Sequence, residues 1–150
     1  GLGRTAWFAS LFGFGDYTIV DLPMTNVAQA YFLGRALGPE RVVLHGEADI
    51  PGPRVRIQNP AWFQAAEDRY DIALNNDSMV EIGLEAVESY WRQLAQRAEI
   101  FVSMNHEAQS FRVADLPARL GLDVKTLRSF HPVRQGYIEE LFLLGSRFRD

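Results

Sequence analysis

There is no cysteine in this 150-residue chain, which excludes disulfides and thiolate metal centres and fits a reducing, cytoplasmic setting. Lysine is nearly absent as well: Lys125 stands alone and every other basic residue is arginine. Positive charge is in deficit, with 15 basic against 19 acidic residues and a net charge of −4. That balance argues against a nucleic-acid partner and against an anionic membrane surface. No apolar run approaches the roughly 18 residues that span a bilayer. No Gly-x-Ser-x-Gly occurs, which disfavours the α/β-hydrolases. What the chain does have is 47% hydrophobic residues, enough to build the core of one domain over 1–150.

Helical and strand patterns alternate. Arg4–Phe12 reads as a helix, Tyr17–Val20 as a strand, and Thr25 or Asn26 as the cap of a helix whose Val27, Ala30, Tyr31 and Leu37 share one face. Arg41–Leu44 and Arg54–Gln58 read as strands around a Pro-Gly-Pro breaker, and Pro60–Asp68 as a short helix. Asp71–Leu74 is a strand, Leu84, Val87, Trp91, Leu94 and Ala98 mark a helix face, and Ile100–Met104 is a strand. A short helix is expected around Leu116–Leu120. The last two β-runs, Thr126–Phe130 and Tyr137–Leu144, are joined by 132–136. That join is too short for a parallel crossover, so the pair is expected to be antiparallel.

Gly1-Leu2-Gly3 opens the first helix, and Asp21 follows an apolar β-run 18 positions after Gly3, close to the roughly 20 of a dinucleotide fingerprint. A turn without side chains lets backbone approach a ligand, and a carboxylate at a strand's carboxyl end can accept hydrogen bonds from ribose hydroxyls. Asp21 also suits a bland role before Pro23, as a turn or capping residue. Such a turn is normally preceded by a buried strand. The chain is therefore read as a piece of a longer protein lacking that strand, and this piece alone is expected to bind a cofactor poorly.

Ile19-Val20-Asp21-Leu22-Pro23, Tyr70–Glu81 and Phe101–Glu107, together with the closing hairpin, resemble the class I S-adenosylmethionine-dependent methyltransferases, and more narrowly the sugar O-methyltransferases. The resemblance implies an α/β fold: a Rossmann-like sheet, mostly parallel with an antiparallel C-terminal strand and helices on both faces. It implies S-adenosylmethionine bound by Gly1, Gly3, Asp21, Leu22 and Asn75. For the adenine, Glu47-Ala48-Asp49 and Gln58-Asn59 are rival contacts. It further implies methyl transfer to a hydroxyl of a sugar-type small molecule, with no nucleic acid and no membrane as partner. A homo-oligomer is left open. Two other function classes stay in view: a nicotinamide-dependent oxidoreductase and a binding module that has lost catalysis.

The catalytic set is His106, Glu107 and Asp77. An acceptor hydroxyl must lose its proton as it attacks a methyl group, and a histidine beside it is a suitable base. A loop histidine that merely supports its own loop is the plainer alternative. Asp77 and Glu107 also stand where some sugar O-methyltransferases hold a divalent metal, and oxygen ligands suit Mg²⁺. Asn75-Asn76-Asp77-Ser78 is equally a capping turn, with Ser78 and Glu81 spaced as a capping box that leaves Asn75 and Asp77 free. His45 and His131 are read as structural or surface residues. Trp7, Phe8, Phe12, Phe14, Trp62, Phe63 and Trp91 are read mostly as core.

Overall fold

The computed structural model describes residues 1–148. The chain falls into two compact units, Gly1–Ala66 and Glu67–Asp150. Each is a mixed α/β assembly with its own sheet.

In the first unit the order is α1 (Arg4–Leu11), β1 (Asp16–Val20), α2 (Pro23–Leu37), β2 (Val42–Leu44), β3 (Arg54–Gln58) and α3 (Pro60–Ala65). The sheet order is β1-β3-β2, and both pairings are parallel. Strand β3 is central, and its alternation is the reason the unit has a core. Val55 and Ile57 are buried on one face against Ala6 of α1 and Leu33 of α2, with Tyr17, Ile19 and Val42 beside them. Arg54 and Arg56 alternate with them and pair with Asp16. Helix α2 buries half of the face expected of it: Ala30 and Leu37 pack on the core, but Val27 is 67% and Tyr31 74% exposed, whereas Gln29 and Leu33 are buried. The inward stripe runs Asn26, Gln29, Ala30, Leu33, Leu37 at helical spacing, and its first two members are polar. A hydrophobic count therefore places the face off centre. No side chain caps this helix; Leu22 occupies the cap position, and Pro23 starts the first turn.

The second unit contains β4 (Tyr70–Asn76), α4 (Leu84–Arg97), β5 (Ala98–His106), α5 (Leu116–Arg119), β6 (Lys125–Phe130) and β7 (Tyr137–Leu143). Its order is β4-β5-β7-β6. β4 pairs parallel with β5, while β7 pairs antiparallel with both β5 and β6. The closing hairpin is thus antiparallel, as its short join requires. The expectation of one mostly parallel sheet is not met: there are two sheets, and β7 makes most pairings of the second antiparallel. β4, β5 and β6 nevertheless run in one direction, with β7 inserted against them.

Helix α4 presents Val87, Trp91 and Leu94 to the sheet, all buried. Ala98 begins β5 instead of ending the helix. The centre is aromatic: Trp91 meets Phe101 at 5.3 Å and Phe142 at 4.8 Å, both edge-to-face, and Phe101 stacks on its register partner Phe142. Such pairs contribute about 0.5–1.5 kcal/mol each beyond the area they bury. The other aromatics divide. Phe63 is buried, but Phe8, Phe12 and Phe14 are exposed, against the expectation that they are core.

Candidate functional site

Each unit gathers polar groups at the carboxyl edge of its own strands, the edge where open α/β sheets bind ligands.

In the first unit Gly3 precedes α1 with φ 81° and ψ 15°, in the left-handed region that favours glycine. A Cβ there would stand 3.0 Å from Leu33 Cδ1, so Leu33 would have to shift, and the backbone conformation is what demands the glycine. Asp21 follows β1. Its Oδ1 accepts from the backbone N–H of Leu22 at 2.8 Å, and its Oδ2 accepts from Gln29 Nε2 at 2.8 Å. The same Gln29 amide donates to the Gly1 carbonyl at 2.9 Å. Gln29, only 2% exposed, thus ties the glycine turn to the carboxylate. Sequence reasoning missed it, because a buried glutamine breaks the apolar stripe by which a helix face is recognised. Asn26, expected as a cap, instead donates to the carbonyls of Asp21 and Gln58 and locks the ends of β1 and β3 together. Leu22 is 62% exposed beside this edge.

The adenine candidates have local partners. Asn59 caps α3 by accepting from Trp62 N–H at 2.8 Å. Glu47 accepts from Leu44 N–H. Asp49 pairs with Arg54, whose guanidinium holds the Asp49 carboxyl below the usual range. Gln58 meets His45 Nδ1 at 2.7 Å. Asp21, at 30% side-chain exposure, keeps acceptor lone pairs beyond the bonds just described.

In the second unit, Asp77 follows β4, His106 ends β5, Tyr137 begins β7, and Arg134 lies in the β6–β7 turn. Tyr137 O–H donates to Asp77 Oδ2 at 2.7 Å, and Arg134 donates to the same oxygen at 3.1 Å. The Arg134 guanidinium carbon sits 3.5 Å from the centre of the Tyr137 ring. His106 Nε2 is 4.0 Å from Asp77 Oδ1, and its ring meets Tyr137 edge-on. The Asp77 hydrogen bond raises the Tyr137 phenol above its ordinary value. Asp77 is the one non-glycine residue with positive φ (58°) among the described residues, a conformation that stores strain and concentrates at functional sites. The turn is shaped by His131, whose Nδ1 accepts from the N–H groups of Val133 and Arg134.

Glu107 does not join this group. It pairs with Arg128, which also donates to the buried Glu140. His106 ends β5 opposite Tyr137 of β7, while Glu107, one residue past the strand, turns to Arg128 of β6, so the two are divided between two clusters. Asp77 and Glu107 likewise form no ligand pair, and each carboxylate is matched by a guanidinium. Among the described residues no group of three or more His, Asp or Glu side chains is placed to hold a metal ion.

Asn75 has become scaffold. It is 6% exposed, donates to Ser103 Oγ and Asn105 Oδ1, and accepts from Ser78 Oγ and Met79 N–H. The capping box is therefore corrected: Ser78 bonds no helix N–H, and Asn75 does the capping.

No family model matches the chain, and no curated protein matches it. Among solved structures, the crystal structure of Thermoplasma acidophilum 1320 is similar, with 13% identity and a TM-score of 0.56 over 97% of this chain and 76% of that one. At that identity the likeness concerns the fold alone. No described helix is long and apolar enough to cross a membrane.

Proposed function

We propose that the chain is a Rossmann-like, S-adenosylmethionine-dependent O-methyltransferase domain acting on a hydroxyl of a sugar-type small molecule. The observation that carries this reading is the second sheet: β7 inserted antiparallel between β5 and β6, with Asp77 and His106 at the carboxyl ends of β4 and β5. The first unit supports it with a glycine turn, a helix and a strand ending in Asp21, cross-tied by Gln29.

S-adenosylmethionine, when bound, supplies an electrophilic methyl group. Asp21 holds ribose hydroxyls, and the turn at Gly1 and Gly3 gives backbone room beside the cofactor's methionine part. His106 takes the acceptor's proton; its Nδ1 accepts weakly from Ala108 N–H at 3.4 Å, which leaves the neutral ring's proton on Nε2, facing Asp77. Much of the rate in such a reaction comes from alignment of the reacting groups.

Calorimetric titration of S-adenosylhomocysteine into the full-length protein, with NADH alongside, tests the reading. Saturable binding of the first is expected, weakened at least about tenfold by Asp21→Ala, the scale of one charge-assisted hydrogen bond. Binding of NADH instead, or of neither, overturns it.

A further inference from the structure

We infer that Tyr137 and Arg134 are positioning residues that clamp Asp77 as the orienting partner of His106. This rests on the reading of His106 as the base.

The two oxygens of Asp77 are treated unequally. Oδ2 receives both the phenol O–H and the guanidinium N–H. Oδ1 is buried and has no hydrogen-bond partner among the described residues. It points to His106 Nε2 across 4.0 Å, about an ångström beyond a charge-assisted hydrogen bond. A buried carboxylate oxygen is ordinarily hydrogen-bonded. Here one oxygen is gripped twice and the other is held in reserve, facing the nitrogen that carries the proton of neutral His106. As His106 gives up the weak Ala108 N–H contact and takes up a proton at Nδ1, the ring gains charge, and a small movement closes Nε2–H onto Oδ1. The ring is thereby kept in one tautomer, with the other nitrogen available to accept.

The clamp is built by the sheet. β5 and β7 set His106 opposite Tyr137 in register, so the phenol that holds Asp77 also flanks the imidazole edge-on. Arg134 reaches the same oxygen from the turn while stacked on the Tyr137 ring. Asp77 enters through its left-handed backbone, its N–H donating to Met104 O at 2.7 Å. Neither Tyr137 nor Arg134 carries a sequence motif, and Tyr137 lies 60 positions from Asp77.

The test is nitrogen NMR of the ¹⁵N-histidine-labelled protein at a pH where His106 is neutral, which reports the nitrogen that bears the proton. The wild type is expected to hold the Nε2–H form in severalfold excess, drawn by the Asp77 Oδ1 charge across 4.0 Å and by the Ala108 N–H at Nδ1. Asp77→Asn and Tyr137→Phe are each expected to reduce that excess severalfold. Asparagine tolerates positive φ, so the first variant keeps the local backbone. Tyr137→Phe gives the answer independently if the first fails to fold. An unchanged tautomer ratio in the folded variants overturns the clamp and assigns the tautomer to Ala108 N–H alone. S-adenosylhomocysteine titration of the same samples separates the two proposals. Loss of tautomer control only in the variants, without cofactor binding in any sample, sinks the methyltransferase reading and keeps the clamp. Binding with an unresponsive tautomer does the reverse.

Discussion

The two units solve one problem, presenting a carboxylate at a strand's carboxyl end, with opposite chemistry. In the first, Asp21 is held by neutral donors from nearby in sequence, the Leu22 N–H and the Gln29 amide. In the second, Asp77 is held by a phenol and a guanidinium from the far end of the chain. The cores differ too. The largest fully buried side chains of the first unit are the aliphatic Leu33, Ile57 and Val55; those of the second are Trp91, Phe101 and Phe142. The lesson is that a short parallel sheet with locally connected helices can hold its polar site by local contacts. A sheet closed by a reversed strand brings distant residues together, and its site is correspondingly non-local.

That contrast can be broken most forcibly at Trp91. Trp91→Ala is expected to cost about 3–5 kcal/mol in denaturant unfolding, with amide protection lost across β5 and β7. The matched control, Phe12→Ala, removes a side chain that is 80% exposed and is expected to change stability by no more than about 0.5 kcal/mol. Equal losses would show that the division into buried and surface aromatics is wrong.

Gln29→Leu tests the local clamp of the first unit. It leaves the Gly1 carbonyl without its amide donor and takes one donor from Asp21, an expected loss of about 1–3 kcal/mol by thermal or chemical melting. No loss would mean that the Gly1–Asp21 tie is idle.

The smallest effect concerns Glu140, whose carboxyl is raised by burial while Arg128 opposes the rise. A raised carboxyl keeps its proton in the folded state at a pH where the unfolded chain has released it. Folding stability therefore falls as pH climbs through the window above the ordinary glutamate value, and is regained on acidification. Glu140→Gln is expected to flatten that slope in melts taken across the window. An unaltered slope would place the titration elsewhere.

Much of this was legible in advance. The position of almost every helix and strand followed from periodicity and from Gly and Pro punctuation; Arg54–Gln58 agrees to the residue. The placement of Asp21, Asp77 and His106 at strand ends followed from apolar runs that stop at a polar residue. The buried face of α2 followed only in part: Ala30 and Leu37 pack on the core, but Asn26 and Gln29 are polar where the stripe turns inward to make hydrogen bonds. The grouping of His106 with Glu107 failed because the strand ends between them, and Glu107 turns to Arg128 of β6 while His106 stays opposite Tyr137 of β7. Asn75 passed for a free polar group because Ser103 and Asn105, which its amide engages, lie 28 and 30 positions away.

What the sequence by itself determined are the local matters: element order, the antiparallel sense of the closing hairpin, the glycine at position 3 and the carboxylates at strand ends. Each depends on backbone sterics and side-chain pattern within a few residues. Tertiary structure alone decided the strand order β4-β5-β7-β6, the partners of Asp77 and the division of polar residues between ligand-facing and scaffold roles. Those depend on register between strands distant in sequence, and one-dimensional spacing carries no measure of it.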